Sequence, residues 1–125
     1  MSEPTKIAVP TEGAGGAEAA RSAHFGHAAS FTIVEILDGS IVGTDTIANP
    51  PHTAGGCGMT VKLLADAGVS TAIVVGMGGG PMAAMQSYGM TAMFDDQSAT
   101  PRAAVEALLA GKLAAFGSDH TCRGH

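Results

Sequence analysis

Short β-branched apolar runs separated by glycine-rich breaks mark the first half of the chain, and this pattern predicts strands joined by turns. The run over residues 6–10 predicts a first strand that ends at its proline. Two further runs, over 31–37 and 41–47, flank Asp38-Gly39, which is a strong signal for an antiparallel hairpin. Residues 11–29 are predicted to form a long loop, and long loops in compact domains often carry function.

Helices alternate with strands in the second half. The pattern predicts a helix over 60–67, a strand over 71–75, a helix beginning at Pro81, a strand over 90–94 and a helix over 101–109. Gly68 suits the left-handed position after the first helix, and Thr100 suits the N-cap of the last. This order predicts an α/β domain with a mixed sheet, in which an antiparallel hairpin lies beside a parallel β-α-β part and helices pack on the sheet.

The composition is that of one folded domain. The 125 residues are 46% hydrophobic and 14% charged, which is too apolar for a disordered chain. The net charge is -5 and the six cations are dispersed, so a basic face for nucleic acid is not expected. No apolar run approaches the ~20 residues that span a bilayer, and the N-terminus lacks the features of a signal peptide. We therefore expect a cytoplasmic protein with free thiols and neither nucleic acid nor membrane as a partner.

Histidine and cysteine suggest the chemistry, because all seven such residues lie outside the predicted helices and strands. They are His24, His27, His52, Cys57, His120, Cys122 and His125. Imidazole and thiolate groups on glycine-rich segments can converge on a soft metal or a metal cluster. No C-x2-C or H-E-x-x-H motif fixes a zinc site, so each residue taken singly is more simply a surface histidine or a buried thiol.

Three segments hold most of these groups. In residues 24–27, His-Phe-Gly-His, the phenylalanine can anchor the loop so that His24 is presented at a fixed position; the alternative is a hydrophobic staple with two solvated histidines. Residues 52–58 are predicted to form a glycine-rich loop that puts Cys57 at the start of a helix, where the helix dipole favours the metal-binding thiolate; the alternative is a buried packing residue. The tail over 120–125 offers three potential ligands, but ordering it costs about 1–2 kcal/mol per residue.

The glycine loop over residues 76–81, Gly-Met-Gly-Gly-Gly-Pro, matches neither a P-loop nor a dinucleotide-binding fingerprint. It offers a run of backbone N–H groups at a helix start, which suits a phosphate, a carboxylate or an anionic metal-sulfur cluster. A tight turn that permits close helix packing is an equal alternative. Methionines 82 and 85 have helical spacing, so we interpret them as core residues rather than copper ligands.

No enzyme of a familiar class is expected. Asp95-Asp96 is a lone carboxylate pair after a strand, which falls short of the clustered carboxylates that a two-metal nuclease needs. No G-x-S-x-G segment supplies the nucleophile of an α/β-hydrolase.

Several segments, taken in order, resemble those of a known family. They are Ile7-Ala-Val-Pro10, Ser22-Ala-His-Phe-Gly-His27, Phe31-Thr-Ile-Val34, Asn49-Pro-Pro-His52, Gly55-Gly-Cys57, Gly76-Met-Gly-Gly-Gly-Pro81 and Ala99-Thr100. Together they are similar to the dinitrogenase iron-molybdenum cofactor-binding family, over residues 6 to about 113. The resemblance implies a ribonuclease H-like fold with a five-stranded mixed sheet, occupying a domain over 1–113 that is followed by a Cys/His-bearing tail over 114–125.

The resemblance also implies candidate site residues. The histidine of the family's His-Phe-Gly motif, a suspected cluster ligand, falls on His24, and Cys57 matches a Gly-Gly-Cys loop of small stand-alone members. The glycine loop of the family falls on residues 76–80. The full candidate set is His24, His27, His52, Cys57 and Cys122 as metal ligands, with His24, Gly76, Gly78, Gly79 and Gly80 as cofactor-binding positions.

These observations lead to two functional hypotheses. The first is non-catalytic binding or carriage of an iron-sulfur or molybdenum-containing cluster in cofactor assembly or storage, with cluster donor and acceptor proteins as partners. A few loop-borne ligands suit a carrier that must release its cargo, whereas a structural site would use four enclosing ligands. The second is a module that senses a phosphate-bearing small molecule or binds a protein partner, with incidental histidines.

Overall fold

The computed structural model describes residues 5–16, 18–22, 28–48, 56–75, 79–95 and 97–115, with the backbone alone for 56–60, 79–82 and 114–115. The strands are β1 (Thr5–Thr11), β2 (Ser30–Leu37), β3 (Ser40–Ala48), β4 (Val69–Val74), β5 (Thr91–Phe94) and β6 (Ala114–Ala115). The helices are α1 (Gly56–Asp66), α2 (Gly79–Ser87) and α3 (Pro101–Leu109).

The sheet has the strand order β3-β2-β1-β4-β5-β6. β1 pairs with β2 in the antiparallel sense and with β4 in the parallel sense, and β4 and β5 are also parallel. The predicted ribonuclease H-like α/β arrangement is therefore confirmed, with all five expected strands present. The two-residue β6 extends the sheet by pairing with β5, and the sequence did not predict it.

The two faces of the sheet bury different helices because side chains alternate along each strand. Ala8 and Ile33 belong to the core beneath α1 and α2, together with Leu64 of α1. Val9 and Val34 belong to the opposite core, which α3 covers. β1 is thus buried on both faces, as a central strand of a mixed sheet must be.

Local turn chemistry agrees with the sequence at three points. Asp38 and Gly39 both adopt positive φ, 54° and 78°, as a two-residue hairpin turn requires. Gly68 has φ 89° after α1, and the Thr100 side chain accepts a hydrogen bond from the Ala103 N–H at the start of α3. Met85 is buried in the core, which confirms its interpretation as a packing residue.

Two helix starts were predicted too late. α1 begins at Gly56, so the loop predicted up to residue 58 is wrong for its last three positions. α2 begins at Gly79, which makes Pro81 its third residue rather than its first. Glycine disfavours helix by about 1 kcal/mol per residue relative to alanine, and contacts between α1 and α2 override this preference. Proline is tolerated here because N–H groups of the first turn lack intrahelical partners anyway.

Candidate functional site

Five strand ends lie together on one side of the sheet. Thr11 at the end of β1 pairs with Ser30 at the start of β2, and Ser30 pairs with Ala48 at the end of β3. Val74 and Phe94, the last residues of β4 and β5, pair with each other. We call the side defined by these five residues the carboxyl edge. Ligand sites of open α/β sheets are commonly found at such an edge.

The described residues that precede the predicted ligand segments lie at the carboxyl edge. Residues 23–27 lie between Ser22, whose N–H donates to the Pro10 carbonyl, and Ala28, two residues before β2. Residues 49–55 lie between the end of β3 and the start of α1, and residues 76–78 follow β4. The structure thus brings the neighbours of all three segments to one edge.

The candidate residues differ in how far the structure places them. His24, His27, His52, Gly76, Gly78 and Cys122 lie outside the described residues. Cys57 and the glycines at 79 and 80 are described in their backbone only, at the starts of α1 and α2. Within the described ranges, no three His, Cys, Asp or Glu side chains are grouped as metal ligands. The ligand set therefore stays a prediction.

The start of α1 points back toward the carboxyl edge. Its other end is held at the opposite edge, where the Lys6 ammonium, near the start of β1, donates to the Ala67 carbonyl over 3.2 Å. The eleven residues of α1 span about 16 Å. From the end held by Lys6, this length is enough for the start of the helix to reach the carboxyl edge, where β4 ends. Cys57 is the second residue of this helix, so it lies where unpaired N–H groups and the positive end of the dipole favour a thiolate.

A buried ion pair occupies the same edge. The Arg21 guanidinium lies 3.3 Å from Asp95 Oδ2, and the two side chains are only 5% and 3% exposed. The guanidinium also donates to the Ser98 carbonyl over 3.1 Å. Burial would raise the pKa of the Asp95 carboxyl, but hydrogen bonds from Ser98 and the Gln97 N–H, together with the Arg21 charge, lower it below its ordinary value.

The sequence does not predict this pair. It shows Arg21 only as one of six dispersed cations and Asp95 only as half of a lone carboxylate pair. The two residues lie 74 positions apart, and no local pattern connects them. The one local signal was that Arg21 is the only Lys or Arg in the predicted loop over residues 11–29.

A cluster of buried hydroxyl groups lies at the end of β1. Thr11 Oγ1 lies 2.8 Å from Ser30 Oγ and 3.1 Å from Thr32 Oγ1. The Gly16 N–H donates to Thr32 Oγ1 over 2.9 Å, which holds the returning loop against the sheet. A shallow groove of about 340 Å³ borders this cluster and is lined by Ala14, Gly15, Gly16, Thr44, Asp45 and Thr46.

Gly15→Ala is expected to destabilise the protein by about 1–3 kcal/mol, because an added Cβ would overpack the hydroxyl cluster. That Cβ would stand 2.8 Å from Ser30 Oγ and 3.0 Å from Thr11 Oγ1, and Gly15 has φ +77°. Gly13→Ala is the matched control, since Gly13 has φ +58° but no atom within 4 Å of the added Cβ. Urea unfolding measures both, and equal losses would contradict the packing argument.

Comparison with known proteins places the chain in a family. The family model described as dinitrogenase iron-molybdenum cofactor matches residues 5–111. The chain belongs to this family. Membership of the family supports a role related to the iron-molybdenum cofactor. The match over residues 5–111 is consistent with a small, stand-alone member of the family. No curated protein matches the chain.

Several solved structures share the fold. The apo form of the orange protein from Desulfovibrio gigas is 24% identical, with a TM-score of 0.80, covering 93% of this chain and 96% of that one. A putative NifB protein from Thermotoga is 20% identical, with a TM-score of 0.74 and coverages of 89% and 92%. A putative dinitrogenase from Methanocaldococcus jannaschii is 16% identical, with a TM-score of 0.71 and coverages of 92% and 97%. No helix among the described residues is long and apolar enough to cross a membrane.

Proposed function

We propose that this protein binds an iron-sulfur or molybdenum-containing cluster at the carboxyl edge and carries it between donor and acceptor proteins without catalysing a reaction. The observation that carries the proposal is the common insertion point of the three ligand-bearing segments. Each segment follows a described residue at this edge, namely Ser22, Ala48 and Val75. Family membership supports a cofactor-related role.

The electrostatics of this edge suit an anionic cargo. α1 and α2 both begin after segments that leave the carboxyl edge, and neither has an acidic residue in its first turn. The first N–H groups of a helix lack internal partners and favour negative charge. The buried carboxylate at this edge, Asp95, is already compensated by Arg21, so it does not oppose an anion with full charge.

Two kinds of group hold the cluster in the proposed site, side-chain ligands and backbone amides. His24 and Cys57 supply soft ligands, with His27, His52 and Cys122 as further candidates. The backbone amides of residues 76–80 stabilise the charge of the cluster. Few ligands, carried on segments between regular elements or, for Cys57, in the first turn of α1, suit transient loading and release in cofactor assembly or storage.

Anaerobic reconstitution with iron, sulfide and molybdate tests the proposal. We expect the wild type to bind metal with a visible absorption band, and His24→Ala and Cys57→Ala each to lose most of the bound metal. His125→Ala is the control for removing a histidine that the family resemblance does not assign, and it is expected to load as the wild type does. Unchanged metal stoichiometry in both ligand variants would refute the proposed site.

The second candidate function is recognition of a phosphate-bearing small molecule. Its supporting observation is the start of α2 at Gly79-Gly80, where side-chain-free residues expose the first amides of a helix. A thermal shift with nucleotides, in a wild-type protein that takes up no metal, would favour this function over cluster carriage.

A further inference from the structure

The segment that carries His24 begins as an extension of the sheet. The Glu12 N–H donates to the Ala20 carbonyl and the Ser22 N–H donates to the Pro10 carbonyl, each over 2.9 Å. These bonds form an antiparallel bridge between Thr11 and Arg21. Because Thr11 pairs with β2 on its other side, Arg21 lies on the side of β1 that faces β4. The chain therefore enters residues 23–27 from a backbone position fixed by β1.

Asp95 is fixed to the end of β4. Its N–H donates to the Val74 carbonyl over 3.0 Å, and its Oδ1 accepts from the Gln97 N–H over 2.9 Å and the Ser98 N–H over 3.3 Å. Val74 is two residues before the glycine loop over 76–80. Asp95 therefore lies beside the end of the strand that leads into that loop, and its Oδ2 is left to contact Arg21.

The Arg21 side chain joins these two fixed points. Its guanidinium contacts both Asp95 Oδ2 and the Ser98 carbonyl. One buried side chain therefore connects two points: the backbone at Arg21, just before the histidine segment, and Asp95, which is bonded to the end of β4. A buried ion pair is weak evidence for stability, because an apolar replacement of similar volume is often as stable. The pair is therefore more informative about the positions that it fixes than about stability.

Resting on the proposed cluster site, we propose that Arg21 is a positioning residue, which through Asp95 fixes the point where the chain enters the histidine segment relative to the end of β4, two residues before the glycine loop. Arg21 makes no contact with the cargo in this role. Removing the guanidinium changes the geometry of the site while every candidate ligand stays in the chain.

Arg21→Met tests this role, because methionine fills much of the same space without charge or hydrogen bonds. In reconstituted protein, we expect cluster release to a chelator to become about tenfold faster, the order found when a partner that orients a metal ligand is lost. We also expect the visible circular dichroism of the bound cluster to change. Arg21→Lys keeps the buried cation and is expected to restore part of both properties.

Val105→Ala is the matched control for stability. Val105 is fully buried in the core beneath α3, and its truncation destabilises the fold without touching the Arg21–Asp95 pair. We expect it to leave the release rate and the circular dichroism at wild-type values. The same changes in Val105→Ala as in Arg21→Met would overturn the positioning role while leaving cluster binding intact.

A measurement on the apoprotein separates this inference from the proposed function. Hydrogen exchange of the Glu12 and Ser22 amides, which donate across the Thr11–Arg21 bridge at the entry to the histidine segment, is expected to accelerate in Arg21→Met and not in Val105→Ala. Wild-type protein that takes up no cluster would refute the proposed function, and the exchange comparison would still decide whether Arg21 positions the segment. Equal exchange in the two variants would overturn the positioning role.

Discussion

Asp95→Ala is expected to lower the free energy of unfolding by about 3–5 kcal/mol, because it removes the carboxylate facing a buried guanidinium. The loss is large against the roughly 5–15 kcal/mol that stabilises a typical domain. Asp95→Asn is expected to lose less, since its amide oxygen can still accept from the Gln97 and Ser98 N–H groups. Urea unfolding at neutral pH measures both variants.

Asp66→Ala is the matched control for the buried pair. Asp66 lies 2.8 Å from the Lys62 ammonium, but the two side chains are 64% and 56% exposed. Exposed pairs four residues apart on a helix contribute about 0.3–0.5 kcal/mol, so the expected loss is of that order. Similar losses for Asp66→Ala and Asp95→Ala would show that burial does not determine the strength of the Asp95 pair.

The contribution of the Asp95 charge also has a defined pH dependence. The folded protein lowers the pKa of Asp95, so between the folded and unfolded values the unfolded chain binds more protons. The stabilisation is therefore complete above the unfolded value of about 3.9 and is lost as the pH falls through the lower folded value. The difference in unfolding free energy between wild type and Asp95→Asn is expected to shrink in acid. A constant difference down to pH 2 would contradict this.

Phe31→Ala is expected to destabilise the protein by about 3–5 kcal/mol, which is the usual cost of truncating a buried phenylalanine. Phe31 is fully buried in the core beneath α1 and α2, where it lies in one cluster with Val61 and Leu64. The chain has only four phenylalanines, one tyrosine and no tryptophan, so small side chains fill most of this core.

Two variants complete the Phe31 experiment. Phe31→Leu keeps most of the volume and is expected to cost less than about 1.5 kcal/mol, so it stays measurable if the alanine variant fails to fold. Tyr88→Ala removes an aromatic side chain that is about half exposed, and its expected effect is within about 0.5 kcal/mol. Thermal or urea unfolding compares all three, and a loss for Tyr88→Ala equal to that for Phe31→Ala would refute the packing argument.

The parts of the fold that local chemistry specifies were predictable from the sequence. Asp38-Gly39 accepts the positive φ of its turn, and Thr100 supplies the oxygen that caps α3. The mixed sheet follows from the order of strands and helices, because a β-α-β unit gives parallel neighbours and a hairpin gives antiparallel ones. These features depend on residues close together in the chain.

Features that depend on tertiary packing were not predictable from the sequence. The start of α1 at Gly56 and the strand at Ala114–Ala115 lack a periodic apolar pattern and form through contacts with distant elements. Arg21 and Asp95 meet only because β1 and β5 end at the same edge, and one sequence contains no sign of that pairing. The segments expected to carry the site were predictable from the sequence, whereas the Arg21–Asp95 pair was not.

β1 lies between β2 and β4, and its two pairings are expected to form at different stages of folding. Its pairing with β2 joins residues near in sequence, whereas its parallel pairing with β4 joins residues across half of the chain and pays a larger loop-closure entropy. The hairpin side of the carboxyl edge can therefore assemble early, while β4, β5 and the Arg21–Asp95 contact must wait for the long-range step. The proposed site needs both sides, so we expect a newly made chain to take up a cluster only after folding is complete.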